Sequence, residues 1–199
     1  MLTSRKDACS TWVLRFLPLI RRGGRVLDLA AGGGRHTRLL IDRGYTVHAI
    51  DRDITALIPL AGPRCTVEAI DLETGDSRRP EGLYDGIIVV KYLHRPLLPA
   101  IASALAPGGA LIYETFALGN ERFGRPRNPD FLLRPGELLE AFSDLTIVAF
   151  EQGEIALPSP AVIQRIAAVN GPVGQLPLLD NEPVDATQRR ADETPAPAA

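Results

Sequence analysis

The sequence predicts an α/β fold, a doubly wound and mostly parallel sheet of seven strands that ends in an antiparallel C-terminal hairpin. Two observations predict it. Short apolar segments typical of strands alternate with segments whose apolar residues recur at helical spacing, as in parallel sheets with helices on both faces. The last two apolar segments, 145–151 and 161–169, have no helix-length connection between them, so we expect them to pair as a hairpin at one edge of the sheet.

The first half of the chain is predicted to supply three of the strands. A helix over 11–20 places its apolar residues on one face, and a strand over 25–29 follows it. A glycine-rich turn then leads into a helix over 35–43, which stops at Gly44. Strands over 46–51 and 65–71 complete this half, separated by a short helix that Asp53 could cap and that must end near Pro59.

The second half is predicted to continue the alternation of strands and helices. Residues 84–90 form an unbroken apolar run, which is typical of a central strand covered on both faces. Pro96 can open the next helix, the sequence Pro107-Gly108-Gly109 closes it, and a strand over 110–116 follows. A short helix over 137–142 then precedes the two hairpin strands.

Length, charge and composition limit the classes of protein. The 199 residues suit one domain, predicted over 1–179, and residues 180–199 lack a periodic apolar pattern and are predicted to be a disordered tail. A formal net charge of -2 argues against nucleic acid as a partner. Cys9 and Cys65 are isolated, so no metal site is predicted. No apolar run resembles a membrane span or a signal peptide, so we expect no membrane partner and a cytoplasmic location.

The strongest motif lies between the first strand and its helix, where Asp28-Leu29-Ala30-Ala31 is followed by Gly32-Gly33-Gly34. Glycines let a ligand approach the backbone closely, and the helix that follows offers free N–H groups to an anionic group. A plain tight turn is the alternative, although the acid at the strand end favours a ligand. A nicotinamide dinucleotide is a weaker candidate, because Thr37 stands where its fingerprint needs a small residue.

Two further acids follow at the ends of the next two predicted strands. Asp51 could accept hydrogen bonds from both hydroxyls of a ribose, with Asp53 as a substitute that is better explained as a helix cap. Asp71 ends the third strand and is followed by Leu72, a pair suited to bonding an adenine amino group and packing on its ring. In a doubly wound sheet, ligands bind beyond the carboxyl ends of the strands, so we expect these acids to line one site.

The ordered series resembles the motifs of class I S-adenosylmethionine (SAM)-dependent methyltransferases, which have a Rossmann-like fold. The segments that carry the resemblance are Val26-Leu27-Asp28 through Gly34, then Asp51, Asp71-Leu72 and Tyr84-Asp85-Gly86-Ile87-Ile88. The resemblance implies SAM as cofactor, with the glycine loop on the methionine part, the second acid on the ribose and the third on adenine. The contacts it implies are Asp28, Ala30, Gly32, Gly34, Asp51, Arg52, Asp71 and Leu72. Ala30 replaces the usual glycine, which is tolerable if its backbone conformation is an ordinary one.

Within this family the chain is similar to small bacterial methyltransferases of the tellurite-resistance-like group. The similarity rests on Gly34-Arg35-His36, on Tyr92-Leu93-His94-Arg95-Pro96 and on Tyr113-Glu114-Thr115-Phe116. Lys91 departs from the pattern, since a small amide residue is expected at that position.

The methyl acceptor is expected over the ends of the fourth and fifth strands, where three residues are candidates for catalysis. His94 could act as a general base or, equally, cap the next helix. Tyr92 is better explained as a wall of the methyl pocket than as a catalytic group, and Glu114 could orient a polar acceptor. His36 is expected to cap or pack at its helix start.

These residues lead to a hypothesis of methyl transfer to a small molecule. Three arginines in the loop 119–130 could bind an anionic acceptor or could be solvated surface charges. A non-catalytic SAM- or nucleotide-binding sensor or partner subunit is the alternative, which Lys91 favours, and a nicotinamide-dependent oxidoreductase is a third. The sequence does not indicate which oligomeric state the protein has.

Overall fold

One seven-stranded sheet forms the centre of the protein. The structure is a computed structural model that describes residues 8–74 and 82–172, so the tail predicted over 180–199 and the end of the domain predicted at 179 lie outside the described residues. The strands are β1 (Arg25–Leu29), β2 (Thr46–Asp51), β3 (Cys65–Ala69), β4 (Tyr84–Val90), β5 (Leu105–Phe116), β6 (Thr146–Ile155) and β7 (Ala161–Val169).

The strand order is β3-β2-β1-β4-β5-β7-β6. Strands β1 to β5 pair in parallel, whereas β7 pairs antiparallel with both β5 and β6. The predicted fold class, including the antiparallel hairpin, is therefore confirmed. The order in which strands are added to the sheet switches sides between β1 and β4. The carboxyl ends of both strands open on the same edge of the sheet, where doubly wound proteins bind ligands.

The α-helices are short and lie on both faces of the sheet. They are α1 (Thr11–Phe16), α2 (Arg35–Asp42), α3 (Leu98–Ser103) and α4 (Glu137–Ala141), and 3₁₀ turns include Leu17–Leu19, Ile58–Leu60, Arg95–Leu97 and Pro129–Phe131. The helix predicted over 11–20 changes to a 3₁₀ turn after Phe16, because Pro18 stands in its next turn. The short helix predicted before Pro59 is instead an irregular turn that ends in the 3₁₀ turn.

Three predicted strand boundaries were wrong. Strand β5 begins five residues earlier than the predicted 110, and Pro107-Gly108-Gly109 lies within it as an irregularity in its pairing with β4 rather than as a helix end. The Asn170 side chain holds this irregular stretch by donating to the Leu105 carbonyl oxygen at 2.9 Å. Strand β6 extends to Ile155, paired with the full length of β7. Strand β3 ends at Ala69, so Asp71 lies just beyond it.

Two apolar layers hold the helices against the sheet. On one face α1 inserts Trp12, which is buried and donates its indole N–H to the Ile166 carbonyl oxygen at 3.1 Å. On the other face α4 and the segment before it cover Tyr113, whose ring lies 6.0 Å from that of Phe142 between centroids. No helix among the described residues is long and apolar enough to cross a membrane.

Candidate functional site

A pocket of ≈ 330 Å³ opens at the carboxyl ends of the parallel strands. Five of the residues expected to contact a cofactor line it, together with four others that the strand-end argument did not assign to that role. The lining residues are Ala30, Asp51, Arg52, Ile70, Asp71, Leu72, Glu73, Tyr92 and Phe131. The structure thus brings the second and third acids of the series to one cavity of a size typical of small-molecule sites.

The first acid of the series lies behind this pocket rather than in its lining. Asp28 is 2% exposed, and its Oδ2 accepts a hydrogen bond from the Thr37 hydroxyl at 2.5 Å. Burial raises the pKa of Asp28 to about 6, and the bonds from Thr37 oppose that rise because they favour the charged form. Asp28 therefore anchors the first turn of α2 to the end of β1 and fixes the two ends of the glycine loop.

The glycine loop uses left-handed backbone conformations at three positions. Gly34 has a φ of 73°, and a Cβ there would come within 2.8 Å of the Leu57 and Leu60 side chains. Gly32 has a φ of 54° but faces open space, which leaves room for a ligand. Ala30 has a φ of 56°, so the ordinary backbone conformation on which its tolerance was argued is absent, and the alanine adopts the glycine-like conformation of the residue it replaces.

Asp51 joins the loop to the pocket. Its Oδ2 accepts the Gly32 N–H at 2.7 Å, and its Oδ1 accepts the Asp53 N–H at 3.0 Å. Each carboxylate oxygen keeps a second lone pair, so the side chain can still accept hydroxyl groups of a bound ribose. Asp53 does not line the pocket and accepts the Thr55 N–H at 3.0 Å, as expected for a residue that caps a local turn.

Asp71 and Leu72 form the far side of the same pocket. Asp71 is exposed, and its Oδ1 accepts the Glu73 N–H at 3.0 Å, which fixes the orientation of the carboxylate. Leu72 is buried and continues the apolar wall formed by Ile70. A carboxylate beside an apolar surface suits a planar ring that carries an amino group.

Tyr92 lies in this pocket, although the sequence argument placed it on the acceptor side. Its carbonyl oxygen accepts the Tyr113 hydroxyl at 2.9 Å. Its own hydroxyl is buried and has no hydrogen-bond partner among the residues that the structure describes. Burial raises the pKa of Tyr92 well above its usual range, and the negative charges of Glu73, Asp71 and Asp51 raise it further, so the hydroxyl keeps its proton and can only donate or accept a hydrogen bond.

The other two catalytic candidates lie outside the pocket lining. His94 precedes the 3₁₀ turn Arg95–Leu97 and makes no capping bond with its side chain, so the alternative in which it caps a helix is not what the structure shows. Glu114 lies in β5 opposite Arg165 of β7, with 3.8 Å between the Glu114 Oε2 and an Arg165 guanidinium nitrogen. His36 is buried and accepts the Ser10 N–H at 3.1 Å, so it packs at its helix start as expected.

Lys91 occupies the end of β4 in an unusual conformation. Its φ is 60°, and its Nζ lies 6.0 Å from the centroid of the Phe116 ring. Burial lowers the pKa of Lys91, the nearby charge of Arg35 lowers it further, and Glu114 partly opposes both effects. A cation therefore stands at the strand end where the acceptor is expected.

The loop between β5 and α4 contributes differently from the expectation of three free arginines. Arg122 forms an ion pair with Glu154 at 2.5 Å, whereas Arg125 and Arg127 are exposed and make no salt bridge within residues 8–74 and 82–172. Phe131, from the same loop, lines the pocket. No sequence signal marked this phenylalanine, since its position depends on how the loop folds back over the strand ends.

The described part of the chain contains no group of three or more His, Cys, Asp or Glu side chains that could hold a metal ion. The groups that could hold a small organic cofactor are concentrated in the pocket: three carboxylates, a guanidinium group, a buried hydroxyl and two aromatic rings. With its apolar wall, the site suits a ligand that combines hydroxyls, a flat ring and an apolar portion.

Solved structures with the same fold include several proteins named as methyltransferases, the protein TehB and the [4+2]-cyclase SpnF. TehB from Haemophilus influenzae is 17% identical with a TM-score of 0.68, and the match covers 82% of this chain but only 63% of TehB. The 1,6-didemethyltoxoflavin-N1-methyltransferase from Burkholderia thailandensis is 21% identical with a TM-score of 0.62, covering 81% and 77% of the two chains. An S-adenosylmethionine-dependent methyltransferase from Mesorhizobium loti is 19% identical with a TM-score of 0.63, covering 83% and 100%.

At these low identities, the TM-scores establish a common fold and nothing beyond it. No curated protein shows a significant match to this chain. A family model described as a methyltransferase domain matches residues 1–171, which is most of the sequence and includes the glycine loop, the pocket and the hairpin. The chain therefore belongs to the methyltransferase domain family.

Proposed function

We propose that this chain binds SAM in the pocket at the ends of β1 to β4 and transfers its methyl group to a small-molecule acceptor. One observation carries the proposal: Asp51, which ends β2, and Asp71, which lies just beyond β3, line a single cavity with Leu72 and Ala30. In this arrangement Asp51 accepts the ribose hydroxyls, while Asp71 and Leu72 contact the adenine. The glycine loop, with Gly32 open to solvent, takes the methionine end.

The hydroxyl of Tyr92 supports a polar ligand in this cavity. A buried polar group without a partner costs about 1–3 kcal/mol, so a hydroxyl that lacks one among the described residues is suited to bonding a ligand. The raised pKa of Tyr92 keeps it neutral, which makes it a binding group rather than a base.

When bound, SAM supplies an electrophilic methyl group on a sulfonium. In methyl transfer the acceptor atom would bond to that carbon as the carbon–sulfur bond breaks, and the electron pair would stay on the sulfur of the product, S-adenosylhomocysteine (SAH). The protein has to align the acceptor in line with the breaking bond and to take a proton from an acceptor that carries one. His94 is the proposed base, because it lies two residues after the pocket residue Tyr92 and its side chain makes no capping bond. Glu114 is proposed to orient the acceptor.

An anionic acceptor is the proposed substrate class. Arg125 and Arg127 are exposed on the loop that also places Phe131 on the pocket, and neither is neutralised by a described carboxylate. Guanidinium groups bind carboxylates and phosphates in a bidentate manner. Activity toward a panel of carboxylate, phosphate and neutral acceptors, measured by the release of SAH, tests this class. An Arg125→Ala/Arg127→Ala variant that keeps full activity on the best acceptor argues against it.

Calorimetric titration with SAM, SAH and NADH tests the cofactor. We expect binding of both sulfur nucleosides and none of NADH. Asp51→Asn keeps the size of the side chain but removes one carboxylate acceptor, and it is expected to weaken SAH binding about tenfold. Asp53→Asn is the matched control two residues away, because Asp53 does not line the pocket, and it is expected to retain the affinity of the wild type.

No binding of SAM or SAH by the wild type contradicts the proposal, and binding of NADH in their place favours an oxidoreductase. Equal losses in the Asp51 and Asp53 variants would mean that the local turn, rather than the Asp51 carboxylate, holds the ligand.

Lys91 favours one alternative, a SAM-binding sensor or partner subunit without catalysis. Its ammonium group stands near Phe116 and Glu114, where an acceptor would enter. Tight SAH binding with no methyl transfer to any acceptor, unchanged in Lys91→Asn, supports that alternative. Methyl transfer that appears only in Lys91→Asn would mean that the lysine blocks an otherwise competent site. The membership in a tellurite-resistance-like group and the single domain over 1–179 stay proposals of the same kind.

A further inference from the structure

Arg95 makes four hydrogen bonds, two to the Glu137 carboxylate and two to the backbone on either side of Phe131. It lies just after β4, and its guanidinium group donates from Nε and Nη2 to the two carboxylate oxygens of Glu137, at 2.6 and 3.0 Å. The same group donates to the carbonyl oxygens of Asp130 at 2.6 Å and Leu132 at 2.8 Å. The two carbonyls flank Phe131, so the arginine is hydrogen-bonded to the backbone on both sides of the residue whose ring lines the pocket.

Glu137 fixes the other end of this arrangement. Its side chain is 5% exposed, and its Oε2 also accepts the Arg134 N–H at 2.7 Å. The segment is tied to β5 as well, because Leu133 donates its N–H to the Phe116 carbonyl oxygen at 3.0 Å. Phe131 itself is 42% exposed and makes no hydrogen bond with its side chain, so its place depends on the backbone that carries it.

We infer that Arg95 is a positioning residue for the cofactor pocket, which acts by holding Phe131 as one wall of the nucleoside site. The inference rests on the proposed function, since it takes the nucleoside of SAM as the ligand of that wall. Arg95 does not line the pocket. Its effect on binding passes through the segment 130–132, whose carbonyls it holds together with Glu137.

The chemistry of the side chain makes the assignment specific to arginine. A planar guanidinium presents donors in several fixed directions and can bond a carboxylate and two carbonyls at once, whereas an ammonium is a point charge with donors on one atom. Lysine at this position keeps the charge beside Glu137 but cannot reach both carbonyls. Arg95→Lys is therefore expected to release the segment while preserving the net charge of the site.

The first test measures the dissociation constant of SAH for Arg95→Lys, Phe131→Ala and the double variant. Loss of an aromatic wall that stacks on a base weakens binding by about tenfold, and Phe131→Ala is expected to show this loss. Arg95→Lys is expected to weaken SAH binding by about fivefold to tenfold, and the double variant by no more than Phe131→Ala alone, because the arginine acts through the ring. The control is Arg122→Ala, which breaks an exposed ion pair at the start of the same loop and is expected to leave the affinity within about twofold of the wild type.

Losses that add in the double variant, or an Arg95→Lys protein that is less stable but binds SAH like the wild type, overturn the inference. So does a Phe131→Ala variant with unchanged affinity, and this test needs no change in the buried network. Failure of the wild type to bind SAH is a different result, because it removes the proposed function.

A second measurement detects the positioning without any ligand. Phe131→Trp introduces an indole whose time-resolved fluorescence anisotropy is read after subtraction of the signal of the buried Trp12. With Arg95 present we expect slow depolarisation at the rate of overall tumbling. Adding Arg95→Lys is expected to introduce a fast component from local motion, while adding Arg122→Ala is not. Identical decays in all three proteins contradict the role of Arg95, whether or not SAM is the cofactor.

Discussion

Replacing Asp28 with asparagine tests how the buried carboxyl group that anchors the glycine loop affects the stability of the fold. The carboxyl group is 2% exposed, and burial raises its pKa from 3.8 to about 6. The folded protein therefore keeps a proton that the unfolded chain has already lost, so the stability that this group contributes is full below pH 3.8 and falls as pH rises through about 6. The interval between 3.8 and about 6, at about 1.4 kcal/mol per pH unit, corresponds to about 3 kcal/mol.

The assay is urea denaturation of the wild type and of Asp28→Asn at intervals from pH 4 to pH 7.5. Because asparagine does not titrate, the free energy of unfolding of the wild type minus that of the variant is expected to fall by about 2.4 kcal/mol between pH 4 and pH 7, and then to stay constant. The fall is smaller than the full change because the unfolded chain is already more than half ionised at pH 4. Thr37→Val removes the hydroxyl that bonds the charged form, so the fall should extend to higher pH, while Thr37→Ser should keep the wild-type profile. A difference that does not vary between pH 4 and pH 7 would refute the reasoning.

Three further outcomes are expected from the positive-φ positions and the buried histidine. Gly34→Ala should lower the free energy of unfolding by about 1–3 kcal/mol, measured in urea, because its Cβ would meet two leucine side chains at 2.8 Å; Gly33→Ala, which meets nothing within 4 Å, should not. Lys91→Gly should raise the free energy of unfolding by about 1 kcal/mol, since its φ of 60° is costly for a residue with a Cβ; a loss of stability would mean that its side-chain contacts outweigh the strain. The ring protons of His36 should titrate near pH 4 by NMR, because burial lowers its pKa, so its stabilising contribution is lost as pH falls from 6.5 towards 4; titration near 6.5 contradicts its burial against Ser10.

The fold was predictable because its signals are local. Each parallel strand is a short apolar run and each helix has its own periodicity, so their order alone leaves few arrangements. The boundaries that were wrong depend on partners distant in sequence. The extra residues at the start of β5 are held by Asn170, and no pattern within 105–109 shows that a side chain more than 60 residues later will bond their carbonyls.

The acids of the site were predictable for a related reason. Parallel strands end at one edge of a sheet, so residues that follow successive strands must be close together, and Asp51 and Asp71 are. Backbone conformation was not predictable in the same way. Ala30 has an ordinary side chain, and only the course of the chain around the loop, with Asp51 bonded to Gly32, requires its left-handed φ.

The arginines show that spacing in the sequence does not reveal which charged residues are held in place by buried partners. Three of them in the loop 119–130 stand out because they are close together, yet Arg122 is paired with Glu154 on the surface, and exposed pairs of this kind contribute little to stability. Arg95 has no such cluster around it, but two of its hydrogen bonds reach the segment that carries Phe131, and two more reach the Glu137 carboxylate. What distinguishes the two is burial of the partner carboxylate: Glu137 is 5% exposed, so leaving it unpaired is costly and its arginine is held in place. That property belongs to the packed loop, and for this reason the residue that shapes the pocket is found from contacts and not from spacing.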